Sequence, residues 1–584
     1  MTTDRNYDVA ILGTGIAGTM LGSILAKHGL NVLLLDSGSH PRFAIGEATT
    51  PDTSFRIKLL SAKYEVPEIA NLSTFHKLRD KISPACGVKR GFSFLYHDEG
   101  KVQDPKKSHQ YPTLAAPMGP DCHFFRQDTD AYMVSVAAQY GADVRQQTKI
   151  EAIDFHEDDV TLTSQKGEIF KVKYVVDGAG FNSPLAKKFD LREKGEPFQT
   201  NSRTIFNHMI NVTHYDQIAE DRSEYDMKYR MGQTTLHHMF DGGWFWIIPF
   251  NNHEESVNPL CSVGLNLNRE KYPETGMDPE EEFFMFVNKF PKMAKQFEKA
   301  KAIRTWVSTR RLQYSSTNAV GERYCILPHA AAFIDPLFSS GLNMTVSSID
   351  VYAKEILAAF KEDDFSIERF QYISDRFQTN LGIFDKMVSN AYVSFQDYEL
   401  WDAWYRVWVI ALLVSTTLNA NQYLKYLETK DRSILKWSEK EPYNAPLGYR
   451  FPESRDMFDK ACALMDQVRN GQLSPKIAAA KIRLLFKDMN YCPSYWKWDD
   501  PNVRSTPAFT IWGMTKMYLW YYFKAPKHVK EVMYDWSPFT AYKYIFQSIR
   551  SSNRSSKKRK KKFTRDVFRA WNNEPSPETT LKTA

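Results

Sequence analysis

The sequence is poor in the features that announce a metal site, a secreted scaffold or a membrane protein. Its six cysteines (Cys86, Cys122, Cys261, Cys325, Cys462 and Cys492) are scattered, with no CxxC pair and no Cys/His zinc spacing. No metal ligand set is therefore expected, and free thiols fit a reducing cytoplasm, as does the lack of a signal-peptide pattern before Tyr7. The longest apolar run, Val407 to Val414, is far short of the roughly 20 residues that cross a bilayer, so it is read as a buried helix. No solenoid-length repeat is present. Net charge is +7, but Lys557 to Lys562 contribute six of those charges, leaving +1 for all the rest. The body of the protein thus has no electrostatic signature of a nucleic-acid binder.

What is present is a globular composition, 43% hydrophobic and 25% charged, on a chain of 584 residues, long enough for two or three units sharing a large core. Tyr7 to Asp36 reads as strand, glycine turn, helix and strand. Val9-Ala10-Ile11-Leu12 stops at Gly13, a helix runs to about His28, Gly29 stands where a helix C-cap belongs, and Val32-Leu33-Leu34-Leu35 is a second buried strand. Within it lies Gly13-x-Gly15-x-Ala17-Gly18. Gly13 permits the tight turn, Gly15 lets the backbone approach a pyrophosphate, and Gly18 lets helix pack on strand. The helix N-terminus offers N–H groups to phosphate, and Asp36 offers an acceptor to a ribose diol.

This unit does not tell FAD from NAD. A second strand running into a glycine-rich turn, Tyr174-Val175-Val176-Asp177-Gly178-Ala179-Gly180, and Arg126 before a helical stretch resemble the flavin monooxygenases and their relatives. Three further segments resemble the flavin-dependent halogenases in particular. They are Gly46-Glu47-Ala48-Thr49-Thr50-Pro51, a GExxxP segment; Gly243-Trp244-Phe245-Trp246-Ile247-Ile248-Pro249, which contains WxWxIP; and Asp335-Pro336-Leu337-Phe338-Ser339-Ser340-Gly341, similar to that family's flavin-and-halide loop. Val388 to Trp408, which includes Leu400-Trp401-Asp402-Ala403-Trp404, looks like the helical extension of some members. Taken singly, each segment has a plainer reading: alternating Trp244 and Trp246 share a strand face as core residues do, and the DP loop is an ordinary turn. One departure is His329, which stands where related flavoproteins carry an acid.

The resemblance implies an α/β fold, with a Rossmann-type FAD domain interleaved with a substrate-side β-sheet and followed by a mostly helical region. The expected units are a core over 1–350 with its sheet at about 195–310, a helical region over 351–550, and a basic polar tail over 551–584 with a short helix near Val567 to Trp571. It implies FAD contacts at Gly13, Gly15, Ala17, Gly18, Asp36, Gly46, Glu47, Ala48, Arg126, Asp177, Asp335 and Gly341, with halide at the backbone N–H groups of Ser340 and Gly341. Trp244, Trp246 and Pro249 would lie near the tunnel. The implied chemistry uses reduced FAD and O2 to oxidise chloride or bromide to hypohalous acid, which a lysine then holds at the substrate. Lys89, in Lys89-Arg90-Gly91-Phe92-Ser93-Phe94, occupies that lysine's place; Arg90 is the neighbouring cation that stands as its alternative.

Phe338 occurs where tryptophan halogenases have a glutamate, so the loop resembles the phenol- and pyrrole-directed branch. That implies an electron-rich aromatic substrate, a phenol in first place, free or tethered to a carrier protein. No second GxGxxG unit serves NADPH, which points to a separate flavin reductase. Two other readings remain open: an aromatic hydroxylase using the same cofactor, and a non-catalytic flavin-binding protein.

Overall fold

The computed structural model describes residues 5–114, 118–219, 222–505, 511–540, 542–544 and 546; the basic tail lies outside them. Along the chain come β1 (Arg5–Leu12), α1 (Ile16–Lys27), β2 (Val32–Leu35), α2 (Pro51–Tyr64), β3 (Gly87–Lys89), β4 (Gly91–Tyr96), β5 (Ser108–Pro112), β6 (Asp121–His123), α3 (Arg126–Gln139), β7 (Asp143–Arg145), β8 (Ile150–Phe155), β9 (Val160–Ser164) and β10 (Ile169–Asp177). Then follow β11 (Ser202–Ile210), β12 (Thr235–Phe240), β13 (Gly243–Pro249), β14 (Cys261–Asn268), β15 (Lys301–Ala302), β16 (Val307–Thr309), β17 (Val320–Gly321) and β18 (Tyr324–Ile326). Three long helices close the core: α4 (Ser340–Glu362), α5 (Ile367–Ser394) and α6 (Tyr398–Thr429).

The first sheet runs β17-β18-β10-β1-β2-β7, with β9 and β8 extending it from β10. β1 pairs in parallel with β10 and β2, which puts it in the centre, covered on both faces. That position explains why Val9 to Leu12 and Val32 to Leu35 are apolar without alternation: every one of them is buried. α1 packs back through Gly18, where an added Cβ would stand 2.2 Å from the Gly13 carbonyl oxygen. Gly13 itself has φ +99° and lies against Gly178, so the two glycine turns read from the sequence interlock.

The second sheet runs β15-β11-β14-β13-β12-β4-β5, with β16 on β11. It is wider than the stretch 195–310 anticipates, because β4 joins β12 in parallel and brings β5 with it. Strands before residue 113 thereby enter the substrate side. A parallel partner from so far upstream leaves no hairpin turn to read. The small β3–β6 ladder, with Lys89 opposite Asp121, bridges the two halves.

α6 contains the Val407–Val414 run and is buried along most of its length. Asp402 on it takes bonds from Arg406, Arg483 and the His109 ring of β5, pinning the helix to the sheet edge. No helix among the described residues is long and apolar enough to cross a membrane.

Candidate active site

At the start of α1 no side chain caps the helix, and its first turn holds no acid. A Cβ added to Gly15 would meet nothing within 4 Å, whereas Gly13 and Gly18 have no such room. Backbone donors therefore face open space at one glycine while its two neighbours lock the turn, the arrangement a pyrophosphate requires. Asp36 lies at the end of β2. Its Oδ2 accepts from Thr14 N (2.8 Å), Thr14 Oγ1 (2.6 Å) and Arg42 (2.9 Å), and its Oδ1 from Gly38 N (2.8 Å). Oδ1 keeps one acceptor position for a ribose hydroxyl. These features fit FAD.

The groups expected farther along the cofactor come from distant segments. The Arg126 guanidinium grips Asp130 with two bonds (2.7 and 2.8 Å) and turns Nη1 to the carbonyls of Ile45 and Gly46. Gly46, with φ +91°, leaves no room for a side chain beside Arg126. His329 lies against Gly341, and burial with Arg126 nearby lowers its pKa to about 4. The histidine in the acid's place is thus neutral at pH 7. Glu47 is buried and bonds the His208 ring at 2.7 Å, tying the GExxxP segment to β11, and Ala48 bridges to His123. Asp177 is fully buried and holds the turn after β10, accepting from Ala179 N, Ser183 Oγ and Leu185 N.

In the DPLFSSG loop, Phe338 and Ser339 both adopt left-handed backbone, at φ +69° and +54°. This pair of turns delivers Ser340 and Gly341 to the start of α4, which has no side-chain cap. Asp335 holds the loop's base: its Oδ2 accepts from Ser202 (2.7 Å) and Tyr392 (3.0 Å), its Oδ1 from Leu337 N (3.0 Å). Tyr392 in turn accepts from Trp244 Nε1 at 3.1 Å. The first Trp of WxWxIP is therefore coupled to the DPLFSSG loop by two hydrogen bonds, while Trp246 bonds Ser262 and covers Gly264. The Pro249 carbonyl faces the His123 ring.

Lys89 is completely buried. Its Nζ donates to Thr49 O at 2.7 Å and stands 3.5 Å above the Phe92 ring centroid. The GExxxP segment thus touches the lysine directly. Burial pushes the ammonium down from its ordinary 10.5 to about 7, and the Asp121 carboxylate acts against that fall. Asp121 is pushed upward by the same burial. It accepts from Ser54 Oγ at 2.8 Å. Lys58, also buried, lies on the other side with Nζ on Met118 O at 2.9 Å. Arg90 points the other way along the strand, over Tyr229.

From Lys89 an unbroken aromatic path leads to the DPLFSSG loop. The Phe92 and Trp408 rings meet edge to face at 5.1 Å, and Trp408 stacks on Phe338 at 4.6 Å. Beside it a pocket is lined by Thr50, Phe338, Ser340, Asn343, Trp408 and Leu412, among others. Asp121 and Lys58 have no motif around them, and Trp408 closes the family-like stretch Val388–Trp408 with nothing there to give it a place beside the site.

A family model for the FAD binding domain matches residues 6–347. The chain is 40% identical over 504 residues to tetracycline 7-halogenase of Kitasatospora aureofaciens, covering 86% of this chain and 90% of that one. It is 37% identical over 544 residues to monodechloroaminopyrrolnitrin halogenase PrnC of Pseudomonas fluorescens, covering 92% and 95%. The chain belongs to the flavin-dependent halogenases. The crystal structure of halogenase PltM in complex with phloroglucinol and FAD superposes on it with a TM-score of 0.81 at 34% identity, covering 86% of this chain and 100% of that one. A flavin-dependent halogenase is an FAD-dependent oxidoreductase.

Proposed function

We propose that this halogenase uses reduced FAD, O2 and chloride or bromide to halogenate an electron-rich aromatic ring, a phenol in first place, through hypohalous acid held by Lys89. The observation that carries the reading is the aromatic path Phe338–Trp408–Phe92, which joins the loop where halide is oxidised to the buried lysine. Gly15 and the α1 N-terminus would hold the pyrophosphate, Asp36 the ribose, and the α4 start the ring end of FAD and the halide. Reduced FAD, when bound, would supply two of the four electrons that reduce O2, and halide the other two as it becomes hypohalous acid.

Apolar and aromatic walls keep bulk water off the oxidant on its way to Lys89. The ammonium donates to the hypohalous oxygen. As carbon takes the halogen and the O–X bond breaks, that proton leaves with the hydroxide as water. The ring proton passes to solvent or a nearby base, Lys89 regains a proton from solvent, and the Asp121 carboxylate across the ladder favours its charged form. The absence of a glutamate at Phe338 fits a phenol, which needs less help in losing its ring proton than an indole does. Phloroglucinol, the ligand in the PltM crystal structure, is itself a phenol. Two relatives named as 1H-pyrrole-2-carbonyl-[peptidyl-carrier protein] halogenases keep a carrier-tethered substrate in view. A separate reductase supplies the reduced flavin, and the cytoplasm is the proposed location.

The test is a reductase-coupled reaction with bromide or chloride and a panel of phenols, pyrroles and indoles, read by mass spectrometry. Halogenated phenols as the major product are expected. Preference for free indoles would overturn the phenol assignment, and oxygen insertion without halogen would overturn the chemistry.

A further inference from the structure

A second, small pocket lies among α2, α4, α5 and residues 444–446. Two guanidinium groups, Arg56 and Arg376, stand in its wall, and no carboxylate among the described residues does. Ser347, Ser348 and Asn380 add polar groups, and Met344 and Phe377 add apolar surface. Arg56 is buried and gives only Nε to Asp52, at 3.2 Å; its Nη2 reaches the Ala445 carbonyl at a marginal 3.5 Å. Asp52 is shared further, accepting from Asn343, Ser415 and Asn419. Arg376 gives Nη1 to the Ser438 carbonyl at 3.1 Å and has no ion pair among the described residues. The nearby Asp350 is already held by Lys63 at 2.9 Å and by Ser438.

Two cations, Arg56 buried and Arg376 partly buried, thus face one small space with no carboxylate in its wall, although Asp52 and Asp350 lie beyond it. Positive charge out of water is costly unless a counter-ion is at hand, and the wall leaves that place to an anion. Burial and the Arg56 charge both push the Arg376 pKa down, the direction expected of a cation short of a counter-ion. Guanidinium is weakly hydrated, and with apolar neighbours it suits a weakly hydrated, polarisable anion better than a strongly hydrated one. Asn343 belongs to the wall of this cavity and also to the wall of the cavity at Ser340, so one side chain separates the two.

We propose that the Arg56–Arg376 cavity is a second anion site, which takes up chloride or bromide and passes it by Asn343 to the DPLFSSG loop. The identity of the anion rests on the halogenase reading; the site itself does not. A reservoir one side chain from the loop would let halide reload without crossing the aromatic path occupied by oxidant and substrate.

Crystals of the FAD-bound protein soaked in sodium bromide test this by anomalous scattering. A bromide peak between Arg56 and Arg376 is expected, absent in Arg376→Gln. Asn380→Asp, which adds a carboxylate to the wall, should lower its occupancy. In turnover, Arg376→Gln should raise the KM for bromide about tenfold, leave the rate at saturating bromide within about twofold, and leave FAD affinity unchanged. No bromide in the cavity at concentrations that fill the loop site overturns the proposal, as does an unchanged bromide KM in both variants. A parallel phosphate soak that fills the cavity while bromide does not overturns the halide assignment. Bromide bound there in a protein that halogenates no substrate supports the site and refutes the functional reading instead.

Discussion

At the start of α1, the groups that face the ligand are backbone N–H groups and glycine Cα atoms, all from residues 13–18. Around Lys89 they are side chains drawn from β3, β4, β6, α2, the DPLFSSG loop and α6, with Phe92 and Trp408 in ring contact across more than 300 residues of chain. The first region tolerates little change in residue type but has no ionisable group at its centre. The second is an assembly of ionisable and aromatic groups whose properties come from burial. A backbone cradle binds whatever has the right shape and charge; a buried lysine beside a carboxylate can be tuned. The division suits an enzyme that binds a common cofactor at one end and selects a substrate at the other.

The comparison is broken most severely at Gly15. Gly15→Val has room for its Cβ within the protein, so it should fold with an unchanged melting temperature yet lower FAD affinity by at least about 100-fold, blocking the pyrophosphate by shape alone. Gly18→Ala should instead destabilise the fold by about 1–3 kcal/mol, since its Cβ would collide with the Gly13 carbonyl. Flavin titration beside thermal melting separates the two; loss of folding in Gly15→Val would remove the distinction.

At the other end, Lys89→Met should lower halogenated product by about 100-fold or more while FAD binding and flavin oxidation continue. The same variant should melt lower at pH 7, because the buried Asp121 carboxylate and the Thr49 carbonyl both lose their partner. Normal product, or arrested flavin oxidation, would show that Lys89 has another role. Arg90→Ala is the control, and product loss there alone would shift the role to the neighbouring cation.

Trp408→Leu should open the path without touching either end. Product per O2 consumed should fall about tenfold while hypohalous acid captured by a trap in solution rises. Unchanged coupling would mean that the oxidant travels elsewhere.

Asp121→Asn sharpens the comparison through pH. The carboxylate raises the Lys89 pKa, so its loss lowers that pKa further. If the ammonium is the working form, product formation declines as pH rises through the lysine's pKa, and in the variant this decline should begin at lower pH. Flavin oxidation should keep its profile. An unshifted decline would separate Asp121 from the lysine. The smallest effect is expected from deleting residues 551–584, which should leave turnover of a small free substrate unchanged; a marked loss would give the basic tail a part in catalysis.

By itself, the sequence determined the parts whose signal is local. Gly13, Gly15 and Gly18 sit within six residues of one another between two apolar strands, and short-range sterics dictate that turn wherever the chain is placed. GExxxP, WxWxIP and DPLFSSG are legible for the same reason, and so is the burial of the Val407–Val414 helix. Tertiary structure alone decided that β4 and β5 join the second sheet, that Asp121 meets both Lys89 and Lys58, that Trp408 bridges Phe338 to Phe92, and that Arg56 meets Arg376. Spacing along the chain carries no record of such meetings. A lysine's pKa and an arginine's missing partner depend on which distant side chains pack around them, and that is settled only when the two sheets and the helices close on one another.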